Sequence, residues 1–310
     1  MAATDPAAAV AALAARPPGP GVDLDAVTTL CELLGRPDRA YPSLRVAGSG
    51  TASTAAMISC LLGALGLNAG RLSASHLQHP RERIRVADEP ITAEAMAGGL
   101  AYLAPFLAEV DARHLVGLTR DEVLAVLAFT QFADAPVDVA VLESAPGVPR
   151  DATDLVDAAV AVVGPIGEDD APGRWYEAMV AEGTTVVSVA QPPAAAAALE
   201  ALAAEHGARL VLADRDFGVE ARELAFGGQL LHLRGVTGDV DEVLLPLHGA
   251  HQAHHAAVAL AAVEGFLGFA GELDAEVLRT GFAAVRRPGE LEVLRRDDVA
   301  AVVLDVANDT

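Results

Sequence analysis

Four histidines, His248, His251, His254 and His255, crowd one short stretch of the chain. On a helix, His251 and His255 share a face at i, i+4, which is a zinc-ligand spacing. No cysteine or paired carboxylate stands beside them, so the set is incomplete as a metal site. The plainer expectation is a histidine-rich helix start, with imidazoles that titrate near 6.5. A second chemistry is written in Arg45-Val46-Ala47-Gly48-Ser49-Gly50-Thr51-Ala52-Ser53-Thr54. A short apolar strand, a glycine turn and a helix start in that order build a cradle of backbone N–H groups for an anion, typically phosphate. Gly48, Ser49, Gly50, Thr51, Ser53 and Thr54 would form it. Ser75, His76 and the many aspartates raise the question of triad hydrolysis, but no G-x-S-x-G elbow fixes a nucleophile. Glu168-Asp169-Asp170 and Asp297-Asp298 read as solvated acidic turns before they read as cation sites.

The elements that must position these residues follow from periodicity. Leu44–Ala47 reads as a buried strand and Ala52–Leu65 as a helix whose small residues allow close packing on a sheet. Val137–Leu142, Ala159–Val163, Thr185–Val189 and Arg209–Leu212 are short Val-rich runs, with helices predicted at Ala171–Glu182 and Pro193–His206. Apolar strands alternating with helices imply a mostly parallel sheet covered on both faces. An antiparallel patch is expected near Gln229–Leu247, then helices at Ala250–Phe269 and Asp274–Val285, then apolar stretches at Leu291–Leu294 and Val299–Asp305. The Ala-rich start, closed by Arg16-Pro17-Pro18-Gly19-Pro20, would fray or form one loose helix. Cys31 and Cys60 are too few and too far apart for a redox or disulfide motif and are expected to be core thiols, which fits a cytoplasmic protein. Trp175-Tyr176 reads as a surface-helix anchor or an aromatic contact for a partner.

Around the glycine loop the sequence resembles a known family. Val46–Thr54 is similar to the V-A-G-T-N-G-K-G-S-T loop of folylpolyglutamate and dihydrofolate synthases, members of the Mur ligase superfamily. Further motifs follow in the family's order. Ser73-Ala74-Ser75-His76-Leu77 resembles T-S-P-H-L, and Glu82-Arg83-Ile84-Arg85-Val86 with Glu89-Pro90-Ile91 resembles E-R-I-R-I-x-G-E-P-I. Val139–Glu143 with Asp151-Ala152-Thr153, the stretch Leu247–Glu264, Pro288-Gly289-Glu290-Leu291-Glu292 and the closing Asp305–Asp309 match later motifs, the last of them D-G-A-H-N. The resemblance runs from about residue 28 to the end of the sequence. It implies a loop that binds MgATP, a pterin carboxylate activated as an acyl phosphate, and a glutamate amine that attacks it. It also implies a substrate side lined by Ser75, His76, Glu82, Arg83 and Arg85, and metal ligands drawn from Ser53, Glu143 and Asp170.

Against that pattern the nucleotide side is depleted. The family's loop lysine falls at Thr51 in a loop one residue shorter, and the sequence contains no lysine at all. A hydroxyl does not replace an ammonium on the β/γ-phosphates, and losing such preorganised charge typically costs a factor of about 10²–10³ in rate. The family's glycine-rich loop after Glu143 carries Pro146 and Pro149 instead. Its metal-binding histidine falls at Asp170, and its carbamylated lysine has no counterpart. D-G-A-H-N is retained only as a remnant, Asp305 with Asn308, where the family's C-terminal domain would begin. Nothing in the sequence points to an arginine that would stand in for the lysine.

A net charge of −22 repels phosphate backbones and anionic headgroups, so neither nucleic acid nor a membrane surface is an expected partner. With 52% hydrophobic residues a large core can be buried. The reading is an α/β protein with a three-layer, mostly parallel sheet of the Mur-ligase central type, akin to P-loop NTPases and without the C-terminal ligase domain. Residues 1–25 form an Ala/Pro-rich segment, 26–287 the ATP-binding-like domain and 288–310 a linker remnant. The expected function is a non-catalytic homologue acting as a binding, regulatory or structural subunit, with MgATP binding weakened or lost. Its ligand would be a pterin- or folate-like or other anionic small molecule, and a protein partner would supply the missing domain. The alternative is an ATP-dependent ligase completed by such a partner.

Overall fold

The computed structural model describes residues 5–19, 24–48, 50–145, 150–166, 178–290, 292–296 and 299–305. In chain order the strands of its main sheet are β1 (Ser43–Ala47), β2 (Ala69–Leu72), β3 (Ile84–Val86), β4 (Glu89–Pro90), β5 (Val139–Glu143), β6 (Val160–Val163), β7 (Thr185–Ser188) and β8 (Arg209–Leu212). They lie side by side as β4-β3-β2-β5-β1-β6-β7-β8, with the last six parallel and β3 and β4 antiparallel at one edge. The helices are α1 (Pro6–Ala14), α2 (Leu24–Leu33), α3 (Thr51–Ala64), α4 (Ala93–Arg113), α5 (Arg120–Asp134), α6 (Pro193–His206), α7 (Ala250–Phe266) and α8 (Ala275–Ala284). A second, antiparallel sheet holds β9 (Gly218–Ala225), β10 (Gly228–Arg234) and β11 (Asp239–Leu245), and β12 (Glu292–Arg296) pairs with β13 (Val299–Leu304).

Both faces of the parallel sheet are buried, and the strand sequences show why. Along β5, Val139 and Val141 enter the core beneath α3, α7 and α8, while Ala140 and Leu142 enter the core beneath α4 and α5. In β6, Val160 and Val162 join the first core, and Ala161 and Val163 pack with Met179, Val180 and Leu199. Such strands read as continuous apolar runs because neither face meets water. Helix α3 is apolar nearly all round, as befits a helix enclosed on most sides, here by the sheet, α7 and α8.

Three expectations need correction. The Ala-rich start is a docked helix rather than a loose one. Asp5 caps it by accepting from the Ala7 N–H (3.1 Å), Ala9 and Leu13 are buried, and Arg16 reaches Asp111 (2.8 Å) and the Leu118 carbonyl (2.9 Å). The described part of the predicted Ala171–Glu182 helix, residues 178–182, is not helical. Met179 and Val180 plug the third core there, and the Ala178 carbonyl accepts from Arg45 Nη1 at 3.1 Å. The antiparallel sheet starts earlier than expected, at Gly218, because β9 is largely exposed and carries charges where a half-buried strand would alternate. Cys31 and Cys60 are both buried free thiols; burial raises the pKa of each, that of Cys60 to about 11.

Candidate functional site

The carboxyl ends of β1, β5, β6, β7 and β8 open into a cleft of about 760 Å³, lined by Gly48, Gly50, Thr51, Ser53, Glu143, Pro165, Val189, Ala190, Ala213 and Asp214, and closed on the far side by α7. Ligands of open parallel sheets bind at this end because loops and helix N-termini converge there. The glycines of the loop are required by geometry. Gly48 has φ +121°, and a Cβ on it would lie 2.8 Å from Gly164 Cα, so two backbones cross with no room for a side chain. Gly50 has φ +67° and caps α3 without a side-chain bond, which leaves the first-turn N–H groups for another acceptor. Thr51 Oγ1 donates to the Gly48 carbonyl at 3.0 Å, which closes the loop on itself.

The two hydroxyls that follow are already engaged. Ser53 Oγ donates to Glu290 Oε2 at 2.9 Å, and Thr54 Oγ1 lies 2.9 Å from His255 Nδ1. The imidazole of His255 sits over Gly50, edge-on to His251 at a centroid distance of 6.0 Å. Burial first, then the neighbouring His251, pushes the His255 pKa down to about 4. All four histidines of the cluster line the cleft, but among the described residues no group of three His, Cys, Asp or Glu side chains is placed to hold a metal ion. His255 is therefore not the near-neutral titrating group suggested by its ordinary value. Its imidazole NMR signals are expected to stay at their neutral positions from about pH 8 to about pH 5.5, whereas a midpoint near 6.5 would refute this environment. Because the folded pKa is depressed, the stabilisation is complete above the unfolded value of about 6.5 and is lost as pH falls towards about 4. The loss is on the order of 3 kcal/mol.

Glu143, at the end of β5, is buried and accepts from the Ala74 N–H at 3.0 Å; burial raises its pKa despite the nearby Arg287, Arg71 and Arg83. Ser53 and Glu143 thus share one cleft, and Asp305 also lines it. Ser49, Asp170, Trp175, Tyr176, Asp297, Asp298 and Asn308, with the turn Glu168–Asp170, lie outside the described residues.

The substrate-side motif folds into a neighbouring cavity of about 100 Å³ lined by Ser75, His76, Glu82, Arg85, Arg71 and the segment Arg286–Glu290. Glu82 is a loop clamp there. Burial works against its charge, but the backbone N–H groups of Leu77, Gln78 and His79 hold its carboxyl below the usual range. Burial and Arg83 lower the His76 pKa. Arg83 does not line the cavity. It is buried, donates to the Ser73 carbonyl (2.8 Å) and pairs with Asp121 (2.6 Å), fixing the loop to the start of α5. The residues missed from sequence are Arg287 and Glu290. Their signal was local, a basic and an acidic residue three apart across a Pro-Gly turn, but their place beside Ser53 depends on the tertiary fold.

Known proteins resemble the chain over nearly its whole length. It is 37% identical over 310 residues to the dihydrofolate synthase/folylpolyglutamate synthase of Mycobacterium tuberculosis, a match covering 92% of this chain and 63% of that protein. It superposes on the solved M. tuberculosis folylpolyglutamate synthase complexed with ADP at a TM-score of 0.90 and 36% identity, covering 98% of this chain and 71% of that one. The chain belongs to the folylpolyglutamate/dihydrofolate synthase family. A family structure described as an FPGS-AMPPCP-folate complex matches at a TM-score of 0.89 and 26% identity, over 97% of this chain and 76% of that one. No protein-family model matches the chain. Among the described residues no helix is long and apolar enough to cross a membrane.

Proposed function

We propose that this chain is a folylpolyglutamate synthase-type protein that keeps the cleft as a ligand site and does not transfer phosphoryl groups. It would act as a binding or regulatory subunit. The observation that carries this reading is the charge of the cleft. Its described lining contains Glu143, Asp214, Glu290 and Asp305 and neither lysine nor arginine. The residues present do not fit MgATP as a phosphoryl donor. The loop position for a lysine is Thr51, and the Ser53 hydroxyl suited to a magnesium ion is donated to a carboxylate. A preorganised cation is the main means by which such loops stabilise phosphoryl transfer, so its loss removes a factor of about 10²–10³ in rate even where a nucleotide still binds.

The ligand class follows from what remains. The cleft has room for a nucleoside-sized molecule, with Val189, Ala190, Ala213 and Phe217 as its apolar wall, and the smaller cavity offers guanidinium groups to a folate-like carboxylate or another small anion. A second reading, an ATP-dependent carboxylate–amine ligase acting with a protein partner, is favoured by the Glu143 carboxylate at the end of β5. Calorimetric titration of ADP, paired with an assay of ADP release from MgATP in the presence of a folate and glutamate, separates the two. Heat from ADP with no release above the protein-free rate is expected. Release that depends on both the carboxylate and the amine would establish the ligase instead.

A further inference from the structure

The Glu290 side chain ties the turn that carries it and Arg287 into the cleft through polar contacts. Glu290 Oε2 accepts from Ser53 Oγ at 2.9 Å and from Gln252 Nε2 at 3.5 Å, and Glu290 Oε1 pairs with Arg287. Ser53 lies in the first turn of α3, a helix of 14 residues whose N-cap, Gly50, supplies no side-chain acceptor. A negative charge at such a terminus is favoured by the helix dipole and by the open N–H groups, which is also what draws a phosphate there. A further observation points to a second occupant: Arg287 Nε, a donor, is buried without a hydrogen-bond partner. Arg287 also borders the small cavity with Arg71, Arg85 and Arg286.

We propose that Glu290 is a tethered occupant of the anion seat at the start of α3, and that an anionic ligand binds by displacing it, with Arg287 passing from Glu290 to the ligand. The chain thereby carries both a competitor for the seat and, in Arg287, the cation that the loop itself lacks. Pro288 is exposed, the Arg287 and Glu290 side chains keep 14% and 23% of their exposure, and neither packs in the hydrophobic core, so the turn can vacate the seat without unpacking that core. The lowered pKa of Glu290, held down against its burial by Arg287 and Ser53, agrees with a carboxylate held as an anion. The inference rests on the cleft being an anion-accepting ligand site, as proposed above.

The test is calorimetric titration of pyrophosphate and, separately, ADP into the full chain and into Glu290→Ala, Glu290→Gln and Glu290→Ala/Arg287→Ala, with circular dichroism confirming each fold. Removing the internal competitor should tighten pyrophosphate roughly 10-fold to 100-fold in Glu290→Ala, the scale of a charge-assisted hydrogen-bond set. Glu290→Gln, which keeps the acceptor and loses the charge, should fall between, and the double variant should lose the gain. Equal pyrophosphate affinity in the native chain and a folded Glu290→Ala overturns the proposal. ADP bound equally well by both also overturns it while leaving the nucleotide reading intact. If ADP binds to neither, the nucleotide reading fails, and the pyrophosphate comparison alone decides the role of Glu290.

Discussion

Gly48→Ala is expected to lower stability by roughly 2–5 kcal/mol, the combined scale of a forced backbone conformation and an overpacked contact. The φ of +121° at Gly48 is closed to residues with a Cβ, and the new methyl would stand 2.8 Å from Gly164 Cα and 3.0 Å from its nitrogen. Neither contact is with the end of a flexible side chain, so relief requires the β1 and β6 termini to part. They are joined there by the Gly164 N–H donating to the Ala47 carbonyl at 2.7 Å. The loop is the first part to move, and ligand binding in the cleft should fall with it. A thermal melt with a parallel ADP titration checks this: a drop in Tm of about 3–8 °C is expected. A Tm within a degree of the native chain would show that the crossing is looser than described.

Arg45→Ala has an effect of similar size for an electrostatic reason. Arg45 lies mid-strand in β1 with its guanidinium ion-paired to Asp154, and it donates to Ser144 Oγ at 3.0 Å and to the Ala178 carbonyl at 3.1 Å. Both charged side chains are almost fully buried. Deleting one member leaves a buried carboxylate without its main partner, typically a cost of about 3–5 kcal/mol, whereas replacing both by apolar residues is often close to neutral. Arg45→Met/Asp154→Leu should therefore be far more stable than Arg45→Ala in urea denaturation. The sign of the pH dependence follows. Burial already raises the Asp154 pKa, Arg45 opposes that, and removing Arg45 raises it further. A carboxyl whose folded pKa is raised destabilises most when ionised, so the deficit of Arg45→Ala should be largest near neutrality and shrink as pH falls below the raised pKa towards the ordinary 3.8. A deficit constant with pH would mean that Asp154 finds another partner, for which Arg150 at 3.6 Å is the nearest candidate.

Local sequence chemistry carried a good part of the fold. Helix α6 and strand β8 coincide with the expected Pro193–His206 and Arg209–Leu212, because Pro192-Pro193 starts the helix and Gly207 (φ +63°) ends it. The anion loop was legible because its glycines fall between a strand and a helix, and at Gly48 only glycine fits. The long helices α4 and α5 were not resolved. Helix α4 contains Gly98, Gly99 and Pro105, all breakers by local rules, and is held by the packing of Met96, Leu100, Leu103, Leu107 and Val110. For α5 a signal was present, the capping box of Thr119 and Glu122. In the site, the glycine loop could be read in advance, but neither the place of the histidines in the cleft nor which side chains touch could. Ser53 and Glu290 lie 237 residues apart, and their bond exists only because α8 returns the chain across α3.

Strand β1 sits at the centre of the sheet, yet both neighbours, β5 and β6, are translated roughly 100 residues after it, so its backbone waits unpaired during synthesis. The anion loop at its end can take shape only once β6 arrives with Gly164. A nascent chain arrested before that point holds an apolar strand with two open edges, the kind of segment that templates aggregation and is shielded by chaperones. Productive assembly of this protein is in that sense gated by the middle of its message rather than by its start.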